Sequence, residues 1–165
     1  MEETLEIKSI TESGVGEALH KAEHYRLLNE PEQAESICLD VLAIHPDEPR
    51  ALVVLVLALT DQFGRDGGRA IPAAKKRVEE LPDEYGRCYY SGLVCERQAR
   101  AQLHRGMARV FAYEGLREAM GWYERAEGLR VPGNDDPVLR WNSCLRTIRR
   151  ERLRPHEKGP EHALE

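Results

Sequence analysis

Between Pro31 and Leu59 the chain reads PEQAESICLDVLAIHPDEPRALVVLVLAL, and this stretch leaves few folds open. Ala34, Ile37, Cys38, Val41 and Leu42 recur at helical spacing. His45-Pro46-Asp47-Glu48-Pro49 follows, a turn so short that the next helix must return antiparallel to the first. The residue before a proline is pushed out of the helical region, which stops the first helix at His45-Pro46. Asp47 is then a good N-cap for the second helix, with Pro49 in its first turn. From Ala51 to Leu59 that second helix is apolar on every side, the condition of a helix covered from more than one direction.

Helical patterning continues on both sides of this unit. Ala18, Leu19, Ala22, Tyr25 and Leu28 predict a helix over Val15 to Asn29. Gly64-Arg65-Asp66-Gly67-Gly68 reads as a loop, and a fourth helix runs from Ala70 to Leu81, closed by Pro82. Asp83 caps a fifth over Glu84 to His104, and a sixth spans Met107 to Leu129. Val131-Pro132-Gly133-Asn134 is a stop, after which Asp136 caps a seventh helix, with Pro137 at its first position, through Arg152. Alternation of apolar and polar residues never lasts more than a few positions, and Ala, Leu, Glu and Arg, good helix formers, are abundant. We expect an all-α chain with a tail at 1–13, a helical body at 14–152 and a flexible tail at 153–165.

The helices carry a period. Ala34, Cys38, Val41 and Pro46 are matched in spacing by Ala70, Ala74, Arg77 and Pro82, and by Ala119, Tyr123, Ala126 and Pro132 with one residue more at the end. Ala22 and Tyr25 stand in front of the first set. This pattern resembles the tetratricopeptide repeat (TPR), an antiparallel helix pair with small residues and an aromatic at the packing points and a proline at the close. The small residues Ala22, Ala34, Gly92, Ala119 and Ala126 would let helices approach, with Tyr25 and Tyr123 filling the gaps between pairs. The resemblance covers residues 15–150 and departs from the family in three places. Two extra residues lie near the Gly-rich loop, Arg77 replaces a small residue, and the third unit has about fifteen extra residues near Arg105-Gly106. It implies about three repeats plus a C-terminal helix, stacked as a short right-handed α-solenoid.

The resemblance also implies a concave groove lined by the first helix of each pair. Carried over position by position, the groove takes Leu19, Glu23 and Arg26 from the first unit. The second gives Arg50, Val53, Leu57 and Thr60, and the third gives Tyr89, Leu93 and Glu96. Such a mixed surface suits a protein or peptide segment as ligand. Some relatives clamp C-terminal carboxylates with Lys and Asn residues, where this chain has Leu19, Glu23 and Val54; binding of that kind is not expected.

Charge and reactive groups narrow the function further. The net charge is −5, but residues 1–48 carry 12 acidic against 3 basic side chains, and residues 86–154 carry 14 arginines against 8 acids. The arginine-rich RWNSCLRTIRRERLR reads either as a solvated helix face laced with i,i+4 pairs or as a surface for an acidic partner, including the acidic end of another copy in a homo-oligomer. A sequence pI of 5.7 argues against nucleic acid as main target. Cys38, Cys88, Cys95 and Cys144 form no C-x-x-C pair and suit small buried residues in a reducing compartment. His20, His24 and Glu17 share a helix face, without HExxH or a Cys cluster to support a metal. The FGRDGGR loop lacks the Gly-Lys-Ser/Thr ending of a nucleotide loop. No G-x-S-x-G turn surrounds Ser36, Ser91 or Ser143. We therefore expect no catalytic residues, cofactor or metal. The acidic start and the nine-residue apolar run at Ala51–Leu59, less than half a membrane span, predict a cytoplasmic protein with no membrane segment.

Overall fold

The computed structural model describes residues 4–65, 68–106 and 108–157. After a 3-10 turn at Glu12–Gly14 come α1 (Val15–Leu27), α2 (Pro31–Ile44), α3 (Pro49–Asp61), α4 (Ala70–Glu79), α5 (Glu84–His104), α6 (Arg109–Leu129) and α7 (Asp136–Arg150). Among the described residues there is no strand. The expected Asp66-Gly67 part of the loop, the start of the sixth helix at Met107, and residues 1–3 and 158–165 of the two tails lie outside the described residues.

Local chemistry sets the helix ends. Asn29 takes a left-handed φ of 61°, which lets the Glu30 amide reach back to the Tyr25 carbonyl at 2.9 Å and the Asn29 amide to Arg26 at 3.0 Å, closing α1 with a Schellman motif. Pro31 then opens α2 without losing a hydrogen bond. The cap of α3 differs from expectation. Glu48, not Asp47, is the N-cap, its carboxylate accepting from the Arg50 amide at 3.3 Å, because Pro49 occupies the first helical position and fixes its neighbour as the cap. At α5 the expected Asp83 cap accepts from the Gly86 amide at 2.8 Å. At α7 the residue before the helix is Asp135, and the Asn134 side-chain oxygen accepts the Asp136 amide. α7 closes at Arg150 with a second Schellman end: Arg152 sits at φ 52° and the Leu153 amide reaches Ile148 at 2.9 Å. Leu153 is buried, so the body extends into what the sequence presents as tail.

Each helix packs on the next along the chain, and α1 also touches α3 while α3 touches α5. Helix α3 is the middle of the first core. Ala51, Leu52, Val54, Leu55, Val56, Ala58 and Leu59 are buried among residues of α1, α2 and α4 and Val94 of α5. A second core gathers Ala99 of α5, Ala112, Leu116, Met120 and Tyr123 of α6 and Cys144 of α7. α5 belongs to both cores. α5 and α6 have 21 residues each, so the added length expected near Arg105-Gly106 lies in longer helices.

Two close approaches hold α5 and α6 together. A Cβ on Gly92 would lie 2.7 Å from Tyr123 Cε1, and one on Gly115 2.9 Å from Ala99 Cβ. Glycine there is required by the neighbour's bulk. Tyr123, Ala22, Ala34, Ala119 and Ala126 are all fully buried, and Tyr25 packs partly against the first core.

Candidate binding face

Helices α1, α3 and α5 contribute to one side of the molecule, and side chains reach on from α5 to α7. Arg50 of α3 forks onto Glu23 of α1, its Nε and Nη2 each 2.8 Å from a carboxylate oxygen. That hydrogen bond from Arg50 is the main reason the Glu23 carboxyl is held below its usual range, with the guanidinium's charge adding to it. One turn on, Arg26 donates to both oxygens of Asp61 at 2.8 and 3.3 Å, and Arg97 of α5 approaches the same carboxylate at 3.6 Å. Thus Asp61 links three helices.

Between α5 and α7 the tie is more buried. Glu96 is 1% exposed. The Tyr123 hydroxyl donates to its Oε2 at 2.6 Å, and Arg100 Nε donates to Oε1 at 2.9 Å. Arg140 of α7 stands 3.6 Å from the same oxygen. Burial works against the Arg140 charge, but Glu96 and a hydrogen bond to Tyr89 outweigh it and raise its pKa. Arg100 also donates to the hydroxyls of Thr147 and Ser143 at 2.9 and 3.0 Å, which fixes its guanidinium across the gap to α7.

The ten residues expected to line the groove divide into two groups. Glu23, Arg26 and Arg50 reach this face, with Val53 and Leu57 half-buried between them on α3. Leu19, Thr60, Leu93 and Glu96 are buried: they form its floor and offer a ligand little surface. Thr60 donates its hydroxyl to the Leu57 carbonyl of its own helix. Tyr89 is held among the rings of Tyr85, Tyr90 and Tyr123, and burial pushes its phenol up. On α5 the outward positions are Arg97, Arg100 and His104, which the family correspondence misses. Their i, i+3, i+7 spacing is the available signal.

Two open clefts lie on this face. One, of about 490 Å³, is bordered by Arg26, Asn29, Asp61, Arg65, Arg97 and His104. The other, of about 340 Å³, runs along Arg97, Arg100, Arg140, Ser143, Arg146 and Arg150. Arg97 and Arg100 border both, so the clefts are neighbours.

A larger cleft, about 720 Å³, lies elsewhere, where α4 and α6 flank α5. Its α5 residues Cys95, Gln98 and Gln102 each precede an arginine-face residue by two positions, about 200° around the helix, and so open to the other side. Cys88 and Cys95 line this cleft. Burial pushes the Cys95 thiol up to about 12 and raises that of Cys88, so neither is an activated nucleophile.

All four cysteines are free. Among the described residues no group of three or more His, Cys, Asp and Glu side chains is placed to hold a metal, and none of their helices is long and apolar enough to cross a membrane. Comparison with protein-family models, curated proteins and solved structures finds no match for the chain.

Proposed function

We propose that this chain is a non-catalytic scaffold of tetratricopeptide type, a short α-solenoid that binds a protein or peptide segment across the face of α1, α3, α5 and α7. The observation that carries this reading is the run of side-chain bridges along that face, Arg50–Glu23, Arg26–Asp61–Arg97 and Arg100–Thr147. They tie every second helix to the next while leaving two clefts open. A rigid face with open clefts binds without first ordering its own side chains. Four free cysteines accord with a cytoplasmic setting.

The test is to pan a random peptide library on the wild-type protein and on Leu57→Glu. Leu57 is half-buried on the binding side of α3, and a carboxylate there would face the ligand. Peptides recovered by the wild type and lost by the variant support the scaffold. Recovery unaffected by the substitution overturns it.

A second reading, self-association, has its own support. The lead-in before α1 is acidic and carries Leu5 and Ile7 at 87% and 89% exposure, a segment suited to a basic face on another copy. Sedimentation at low salt and high concentration tests this: a strict monomer excludes it.

A further inference from the structure

Resting on the scaffold reading, we infer that the cleft between α5 and α7 selects an acidic protein segment, one with clustered Asp and Glu side chains. The charge count is the first reason. The two neighbouring clefts are bordered by seven arginines, at positions 26, 65, 97, 100, 140, 146 and 150, and by two carboxylates, Asp61 and Glu96. A chain of net charge −5 thus presents a face with five positive charges in excess.

The internal needs of the fold account for only part of this. Glu96 is satisfied by Tyr123 and Arg100 and neutralised again by Arg140. Asp61 is taken up by the two donors of Arg26, leaving Arg97 at 3.6 Å. Arg146 has no hydrogen-bond or ion-pair partner among the described residues, and Arg150 meets only Glu151, at 3.2 Å on the exposed surface. Gathering such charges costs self-repulsion unless an anion relieves it. The planar fork of a guanidinium matches a carboxylate with two parallel hydrogen bonds. Arg146 and Arg150 offer that fork, and Arg100, tied to Glu96, Ser143 and Thr147, adds a fixed positive charge beside them.

The lining distinguishes carboxylates from nucleic acid. Single-stranded nucleic acids need aromatic rings on which bases stack. Among the described residues the only Phe, Tyr or Trp bordering either cleft is Phe63, which is buried. The rest of the chain is acidic, so a polyanion longer than the face meets repulsion at its ends. A short acidic peptide segment does not.

The experiment is fluorescence anisotropy with a labelled hexaglutamate peptide, a hexaglutamine peptide and a uridine oligonucleotide of equal charge, at low and physiological salt. Hexaglutamate is expected to bind with an affinity that falls as salt rises, more tightly than the oligonucleotide, while hexaglutamine does not bind. Arg146→Glu, at an exposed position that leaves folding intact, is expected to weaken hexaglutamate about tenfold, with its charge in the middle of the cradle. Arg149→Glu makes the same charge change at an exposed residue that borders neither cleft, and is expected to weaken binding less than about twofold, as a long-range effect screened by salt.

Equal losses in the two variants, equal binding of the two peptides, or an oligonucleotide bound as tightly as hexaglutamate would each overturn the inference. So would self-association at low salt that Arg146→Glu abolishes, since the occupant is then another copy. If hexaglutamate fails while panning still yields peptides sensitive to Leu57→Glu, only the acidic partner falls. If neither binds, the scaffold falls with it.

Discussion

The Tyr123 hydroxyl lies 2.6 Å from Glu96 Oε2, in the buried space between α5 and α6. It donates to that oxygen while the arginines approach Oε1. Burial and the neighbouring charge of Glu96 push the phenol's pKa up, so Tyr123 remains a donor across the accessible pH range. Tyr123→Phe keeps the ring and removes the proton, leaving one oxygen of a buried carboxylate unsatisfied. A destabilisation of about 1–3 kcal/mol is expected, read as a lower urea midpoint with an unchanged slope. A change below a few tenths of a kcal/mol would mean that Glu96 finds water.

The same ring decides the sign of a glycine substitution. Gly92→Ala gains helix propensity but pushes a methyl group against Tyr123 and against Trp122 Cβ, which would stand 3.1 Å away. Overpacking costs about 1–3 kcal/mol and outweighs a propensity gain of about 1 kcal/mol. Gly121→Ala, in α6 with nothing within 4 Å of the added Cβ, carries only the gain. Thermal unfolding is expected to move the two variants in opposite directions, Gly92→Ala down and Gly121→Ala up.

These contacts also show what was legible in the sequence. Helices α2, α3 and α5 follow from apolar spacing and from local punctuation at Pro31, Pro49 and Asp83, and Glu84–His104 emerges with its expected ends. The small residues at Ala22, Ala34, Gly92, Ala119 and Ala126 fall at buried packing points. The face of α5 is harder to read. Glu96 looks in sequence like a solvated groove residue, and Arg97 like its surface neighbour. Their separation is set by Tyr123 and Arg140, 27 and 44 residues further on. No local pattern reports a carboxylate whose partners lie on two later helices. Leu19 and Leu93 differ from Leu57 for a similar reason: all are leucines at helical spacing, and only the packing of neighbouring helices decides which is covered.

Helix α3 allows that difference to be measured. Leu55 is 1% exposed, whereas Leu57 lies half-buried on the binding side. Leu55→Ala is expected to cost about 2–5 kcal/mol, the usual range for a leucine cut back inside a core. Leu57→Ala is expected to cost less, since the solvent-facing part of the side chain adds nothing to folding and no closed cavity is left. Denaturant midpoints for the pair check this, and a Leu57 variant as unstable as the Leu55 one would place Leu57 in the core.

The cysteines give a pH dependence with a definite sign. Burial pushes Cys38, Cys95 and Cys144 from the ordinary thiol value of 9.0 up to about 12. A thiol whose pKa is raised in the folded state keeps its proton there after the unfolded chain has lost its own. Folding therefore binds the proton more tightly, and the stability this contributes is fully present below pH 9 and lost between about pH 9 and pH 12. Unfolding midpoints are expected to fall through that window, with Cys38→Ala falling less steeply than the wild type because one of the buried thiols is gone. Alkylation reads the same groups directly, since the thiolate is the reacting form. At pH 8 the fully buried Cys38 and Cys144 are expected to stay unmodified in the native protein and to react once it is denatured. Rapid native modification of Cys38 would mean that α2 opens from the first core far more often than its packing implies.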